Sequence, residues 1–287
     1  MIRIDRKDFF PPEIKLEKII KKVLQEKKQH SFSTYYINRI NKDLKKLYLN
    51  KCGYCEVHME AGEGLGFDHY RPKNGIKEDR SHSGYYWLGY EWSNFVPVCP
   101  SCNRHKANSF PIEGERTNLN DFLADYNRTE LVNERCRVDS DLLKAEKPVL
   151  LHPEIDIPGE HLVFLPSGEI KGTSRRGEKT IHIYGLNRNA LVIARKRIVD
   201  RFLSEIRKEL NDFIDKKNNK KVFLYSLKKV LHKIFTSGDK KKQYSRLGWH
   251  MINQFESFFM EPLGPKQQKI LRKAFASFQR DLNRDKT

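Results

Sequence analysis

Two Cys-x-x-Cys pairs, Cys52/Cys55 and Cys99/Cys102, bracket an Asp-His doublet at Asp68-His69, and Asn103 follows the second pair directly. Each pair sets two sulfurs on one tight turn, and four thiolates from two such turns make a closed tetrahedral site for a structural zinc. A zinc with four sulfur ligands has no position left for water, so any chemistry must come from other side chains that it holds in place. Two candidates lie between the pairs: a carboxylate suited to a hard cation at Asp68, and an imidazole able to take a proton from water at His69. Taken alone, the cysteines fit a plain zinc ribbon used as a binding module equally well.

The elements around these residues sharpen the reading. Gly66 to Lys73 carries aromatics on both sides of the doublet and Pro72 after it, which predicts a short strand ending in a turn. Alternation along a strand then points Asp68 and His69 to opposite faces. A second strand or extended run is predicted at Tyr85-Tyr86-Trp87-Leu88, continuing towards Trp92 to Val98, with a helix starting after Cys99. On that helix, at about 100° per residue, Lys106 falls within about 60° of Asn103, whereas His105 points nearly the other way.

The pattern Cys52-x-x-Cys55, Asp68-His69-x-x-Pro72, Asn94, Cys99-x-x-Cys102-Asn103-x-x-Lys106 resembles the HNH endonucleases, whose site is a β-hairpin plus helix around a catalytic metal. The resemblance covers residues 52 to about 111. Further matches at Cys52 to Glu56, Trp92-Ser93-Asn94, Leu150 to Pro153, His161-Leu162-x-Phe164, Gly168-x-Ile170 and Gly185 to Arg188 are similar to the HNH proteins found beside retrons and in Septu-type anti-phage systems.

What the resemblance implies is specific. His69 would be the general base that activates the attacking water, and Asp68 a ligand to Mg²⁺ or Mn²⁺. Asn103 stands where many members carry the last His, and its side-chain oxygen would supply the second ligand. Asn94 is the middle residue of the family name, a clamp that positions the loop carrying the base. The last position departs from the family, so the site reads His-Asn-Asn. Two oxygen ligands suit Mg²⁺ or Mn²⁺ better than zinc, so two different metals are expected. Lys106, Arg71 or Lys73 would neutralise phosphate charge.

Other polar and aromatic residues have plainer readings. His58 and His82 lie in Gly- and charge-rich loops and read as solvated. Glu56, beside Cys55, reads as a hydrogen-bond partner of the zinc turn. The run Tyr85, Tyr86, Trp87, Tyr90, Trp92, Phe95 could stack nucleobases, but a small zinc-stapled module needs large side chains for its core. Cys136 reads as a buried or free thiol.

The 287-residue chain carries a formal charge of +18, which favours a polyanionic partner and makes binding salt-dependent. No apolar run approaches the roughly 20 residues of a membrane span, and Met1 to Lys7 lacks a signal-peptide core. Five cysteines, four of them in metal spacing, fit a reducing cytoplasm.

The expected fold class is α+β, mostly α: a zinc-stapled ββα-metal core flanked by helices, with a small β hairpin and a basic helical C-terminal region. The expected segments are 1–50 (helical), 51–112 (nuclease core), 113–187 (connector with the hairpin) and 188–287 (basic helices). Helices are predicted over residues 12 to 30 and Thr34 to Leu49, the latter with Ser33 as N-cap. From Pro148 to Ile183 the signals are β-like, with a hairpin turning at Pro166-Ser167-Gly168. A helix starts after Asn187 or Asn189 as N-cap, followed by others at Val222 to Phe235, Trp249 to Phe259 and Lys266 to Leu282. Residues 188–287 hold 25 Lys and Arg against 10 Asp and Glu, a net +15 of the +18, and are the expected nucleic-acid grip.

The function that the resemblance implies, and with which the charge agrees, is a metal-dependent endonuclease acting on DNA in anti-phage defence. By the same resemblance, a separate ATPase of the ABC or SMC-like class is expected as partner, and a retron reverse transcriptase with its nucleic acid in retron-associated members. The alternative is a catalytically silent zinc protein that binds nucleic acid or bridges partners; a variant of the first reading cuts RNA.

Overall fold

The computed structural model describes residues 1, 3–5, 22–23, 25–26, 34–59, 66–120 and 135–284. Most of the helix predicted over residues 12 to 30, and the Ser33 cap, lie outside the described residues. The chain divides into two compact units, Met1–Leu162 with Gly172–Leu186 and Val163–Lys171 with Asn187–Thr287.

In the first unit, helix α1 (Thr34–Leu47) buries Ile40, Leu44 and Leu47, spaced four and three residues apart so that they share one face. Lys45 and Lys46 in its last turn complement the negative end of the helix dipole. Leu49 and Asn50 then take left-handed φ values of 53° and 58° and turn the chain into the first cysteine pair. Strand β1 (Gly66–His69) pairs antiparallel with β2 (Phe95–Val98), placing Asp68 opposite Val96 and His69 opposite Phe95. Helix α1 packs against β2. Helix α2 (Pro100–Lys106) follows at once, with Cys99 at its N-cap and Pro100 in its first turn, where a missing N–H costs no hydrogen bond. The order strand, strand, helix agrees with the sequence expectation.

The strand expected at Tyr85 to Leu88 is instead a 3₁₀ turn at Tyr86–Leu88, with a second at Trp92–Asn94. Gly84 sets this course: at φ 90° the chain doubles back so tightly that a Cβ would lie 2.5 Å from the Gly75 nitrogen. Tyr85, Trp87, Tyr90 and Trp92 are buried, so the aromatic run forms core. The β-like signal up to Ile183 also fails in part, because Arg175–Ile183 is a helix, α3, capped by the Ser174 hydroxyl accepting from the Gly177 N–H.

The second unit takes in most of the predicted hairpin, β3 (Leu162–Phe164) and β4 (Ile170–Gly172), which turns through Gly168 at φ 85°. Asn187 caps no helix. Its carboxamide accepts from the Ile170 N–H and donates to the Ile170 carbonyl, each at 2.8 Å, and clamps β4. Arg188 occupies the N-cap position of α4 (Asn189–Ile214), which buries Leu191, Val199, Phe202, Ile206 and Leu210. Helix α5 (Lys220–Ser237), capped by Asn219, meets it with Phe223, Leu227, Val230, Leu231 and Ile234. Helix α6 (Ser245–Asn253), a π turn at Glu256–Met260 and α7 (Pro265–Arg284) complete the unit. No described helix is long and apolar enough to cross a membrane.

Candidate active site

The four paired cysteines converge. Their sulfurs all lie within 4.8 Å of one another, and Cys55 and Cys99 are 3.8 Å apart. Zinc–sulfur bonds of about 2.3 Å at a tetrahedral centre put sulfurs about 3.8 Å apart, so the donor set fits zinc in both chemistry and span. All four are buried, and hydrogen bonds from the neighbouring thiols hold Cys99 far below the usual thiol range, while burial pushes Cys52 up. A buried group of thiols that carries negative charge calls for a cation at its centre. Gly53 is needed in the first turn, because a Cβ there would meet Val96 at 2.5 Å and Tyr48 at 2.9 Å.

Each cysteine turn also delivers a donor to Asp68. Tyr54, between Cys52 and Cys55, donates its hydroxyl to one carboxylate oxygen at 2.7 Å. Lys106, one helical turn beyond Cys102 on α2, donates Nζ to the other oxygen at 2.9 Å and to the His69 carbonyl at 2.8 Å. Asp68 is 5% and Lys106 1% exposed. Burial raises the Asp68 pKa, opposed by the Lys106 charge and the Tyr54 hydrogen bond. Tyr184 stacks on Tyr54 with ring centroids 3.8 Å apart and closes the back of the pair. Lys106, expected to meet phosphate, therefore faces inward as the partner of Asp68.

His69 lies on the opposite face of β1, as strand alternation requires, with its ring against Phe95 and Phe67. Its Nε2 is 3.0 Å from the Gly89 carbonyl oxygen. A carbonyl only accepts, so the proton sits on Nε2 and Nδ1 is the basic nitrogen. Burial lowers the His69 pKa to about 3, and the charges of Lys73 and Lys106 act in the same direction against the Gly89 hydrogen bond. The ring is therefore neutral across the physiological range.

Asn94 is fully buried and does what a clamp must: Oδ1 accepts from the Arg71 N–H at 2.8 Å, and Nδ2 donates to the Arg71 and Leu88 carbonyls. It ties the turn after His69 to the stretch before β2. Asn103 is exposed on α2, one turn before Lys106, and among the described residues no hydrogen bond joins it to Asp68 or His69. Arg71, expected to contact phosphate, is buried instead. Its Nε donates to Glu146 at 2.8 Å and its Nη2 to the Leu143 carbonyl at 2.7 Å, because a buried guanidinium needs a carboxylate and carbonyls around it. Lys73 is half-buried near His69 and is the expected phosphate contact that keeps an open side.

The remaining histidines separate similarly. His82 accepts from the Gly84 N–H through Nδ1, with Nε2 3.1 Å from the Thr117 carbonyl, so it braces a loop rather than standing in solvent. His105 turns back to the Ser101 carbonyl and lies against Gly185. The Glu56 carboxylate, expected to bond the zinc turn, pairs with the Met1 amino group and with Lys51, the residue before Cys52. Cys136 is buried, and burial pushes its thiol far up. Sequence reasoning missed Tyr54 and Glu146. Tyr54 had a signal: a tyrosine inside a cysteine turn must bury its ring and find a partner for its hydroxyl.

No protein-family model and no solved structure matches the chain. Septu protein PtuB of Bacillus mycoides (strain KBAB4) is 35% identical over 174 residues, 58% of this chain and 53% of that protein. The chain is similar to Septu proteins. Septu protein PtuA of the same strain is 31% identical over 206 residues, 70% of this chain and 25% of that protein. The chain thus spans about half the length of one Septu relative and a quarter of the other.

Proposed function

We propose that this chain is a metal-dependent endonuclease of the HNH type that hydrolyses phosphodiester bonds of DNA in anti-phage defence. The observation that carries this reading is the tautomer of His69: the Gly89 carbonyl holds the proton on Nε2 and leaves Nδ1 as the acceptor, on the strand face opposite the Asp68–Lys106 pair. The Nδ1 lone pair can take the proton of a water whose oxygen then attacks phosphorus. Asn94 fixes the turn that follows that imidazole, and Lys73, whose charge reaches the ring, is the proposed phosphate contact. Mg²⁺ or Mn²⁺, held by Asp68 with Asn103, would supply Lewis-acid stabilisation of the charge that builds on the phosphate and the departing 3′ oxygen. Zinc in the cysteine cage keeps the strand and the helix together and takes no part in the reaction.

The defence role rests on the similarity to Septu proteins. A region like this chain makes up a quarter of PtuA, which supports a module working beside a larger assembly. The partner proposed for it is an ATPase of the ABC or SMC-like class, with a retron reverse transcriptase and its nucleic acid as a further candidate. Residues 188–287 supply the positive surface for DNA.

The test is cleavage of a panel of duplex, single-stranded and branched DNA and RNA substrates with Mg²⁺ or Mn²⁺, with and without the partner, using the wild type and His69→Ala. Loss of cutting in His69→Ala with zinc content and nucleic-acid affinity unchanged is the expected result. The engagement of both Asp68 oxygens within the protein favours a second reading, a zinc protein that binds nucleic acid without cutting it. Under that reading the wild type cuts nothing with any metal or partner.

A further inference from the structure

Among the described residues, Trp249 is the one large apolar side chain left exposed, at 43%, on α6 and the loop before it. A single exposed apolar residue is ordinary on a protein surface. What sets this one apart is the charge built around it. Arg246, three residues earlier and so on the same helix face, stacks its guanidinium 4.1 Å from the centre of the indole. His250 meets the ring at right angles, with centroids 4.9 Å apart. The indole is thus steadied from within its own helix while much of its surface stays in water.

Backbone contact brings three lysines to the same place. A Cβ on Gly248 would lie 2.3 Å from the Ser237 carbonyl, and one on Gly238 would lie 3.4 Å from the Trp249 nitrogen, so the end of α5 meets the middle of α6 backbone to backbone. Lys240 follows Gly238 by two residues, which limits their Cα separation to about 7.6 Å. Lys240, Lys241 and Lys242 are all exposed. Asp239, the acid of this loop, accepts from the Lys241 N–H through its carboxylate and from the Lys242 N–H through its carbonyl, each at 2.8 Å. It therefore orders the turn that presents the lysines.

We propose that Trp249 is a stacking platform for an unpaired nucleobase, with Arg246 holding the ring and Lys240 to Lys242 taking the adjoining phosphates. The inference rests on the reading of the second unit as the nucleic-acid grip, and it names what that grip takes: a single-stranded stretch of DNA or RNA. Every base has a π face that an indole can cover, and a row of cations beside the ring tracks the backbone. In a duplex those faces already lie against neighbouring bases, so only unpaired strand gains from the ring. An apolar protein partner would need a wider apolar patch than one side chain among cations.

The test is the intrinsic fluorescence of the full zinc-loaded chain, without Mg²⁺ or Mn²⁺, titrated with oligothymidylate, with oligouridylate of about 20 nucleotides and with a blunt duplex of the same length. Of the three tryptophans, Trp87 and Trp92 are 1% and 7% exposed, so quenching by a stacked base reports Trp249. Anisotropy of labelled oligomers gives the affinities of the wild type, Trp249→Ala and Trp249→Phe, with thermal melting as the check on folding. Single strand is expected to quench the wild type and to bind Trp249→Ala about 5- to 150-fold more weakly with the salt slope unchanged. Trp249→Phe should recover most of that affinity, and the duplex should bind all three alike. The tighter of the two oligomers identifies DNA or RNA as the source of the base. Duplex binding without quenching by either single strand overturns the platform and leaves the grip standing, and so does a Trp249→Ala variant that binds single strands as the wild type does; the ring is then left to a protein contact. Absence of all nucleic-acid binding by the wild type overturns the grip and the platform with it. Should Trp249→Ala fail to fold, quenching of the wild type decides the matter.

Discussion

Tyr54 and Lys106, carried by the two separate cysteine turns, hold the two oxygens of the single carboxylate of Asp68. The zinc cage and the candidate active site are thus one hydrogen-bonded unit. Tyr54→Phe keeps the ring that stacks on Tyr184 and removes one bond from a buried carboxylate, at a cost of about 1–3 kcal/mol. Thermal or urea unfolding of the zinc-loaded variant should register that loss with zinc content unchanged. Wild-type stability in Tyr54→Phe would mean that the hydroxyl contributes nothing to holding Asp68.

Zinc removal should act on the same unit from the other side. Without the metal, Cys52–Cys55 and Cys99–Cys102 present a buried cluster of mutually perturbed thiols with nothing to neutralise it. A strong chelator is expected to expose residues 51–107 to limited proteolysis and to abolish any cleavage activity, with zinc restoring both and Mg²⁺ alone restoring neither. Continued protease resistance after complete zinc loss would show that the cage is not what holds β1 to α2.

The parts of this arrangement that were legible in the sequence are those fixed by local spacing. The cysteine turns follow from the Cys-x-x-Cys spacing and the opposed faces of Asp68 and His69 from a period of two, whereas the helix face expected to hold Asn103 and Lys106 together splits, with Lys106 buried and Asn103 exposed. The Asn94 clamp came from the resemblance, not from any period. Partners distant in the chain were not legible. Arg71 reads as a surface cation beside a candidate base until Glu146, 75 residues on, is seen to bury it. Tyr85 to Leu88 has strand composition, but Gly84 bends the chain and β2 takes the edge of β1. Asn187 has capping chemistry, and spends both ends of its carboxamide on Ile170 instead. Each of these depends on which segment arrives opposite, and composition carries no record of that.

The His69 pKa of about 3 makes a pH prediction with a definite sign. The unfolded chain protonates histidine near pH 6.5, so between pH 6.5 and 3 the unfolded state binds the extra proton. His69 therefore contributes stability above pH 6.5 that is lost as pH falls towards 3. Melting temperatures of the wild type and His69→Phe, measured from pH 7 to pH 4, should converge as the wild type loses its advantage. The rate of any cleavage should likewise show no histidine-like fall near pH 6.5. A fall centred there would place the basic group elsewhere or leave His69 unperturbed.

Arg71 and Glu146 are both fully buried and paired at 2.8 Å. Glu146→Ala leaves the guanidinium uncompensated and should cost about 3–5 kcal/mol, whereas Arg71→Met combined with Glu146→Leu removes both charges and should cost much less. Denaturant unfolding of the single and double variants separates the two cases. If Arg71 instead served the substrate, Arg71→Met would weaken DNA binding and lower its salt dependence with stability intact.

The last expectation concerns residues 188–287, with 25 Lys and Arg against 10 Asp and Glu. Charge on helical surfaces often serves solubility alone, so excess charge by itself does not make a binding face. Counterion release distinguishes the two roles, because each phosphate neutralised by a lysine contributes about 0.9 to the slope of log affinity against log salt on duplex DNA. Lys240, Lys241 and Lys242 lie together on an exposed loop between α5 and α6. Replacing all three with Ala should lower that slope by about 2–3 if they grip the backbone and weaken binding evenly across sequences. The measurement is a salt titration of DNA affinity for the wild type and the triple variant. An unchanged slope would assign these lysines to solubility and move the grip to another face of the second unit.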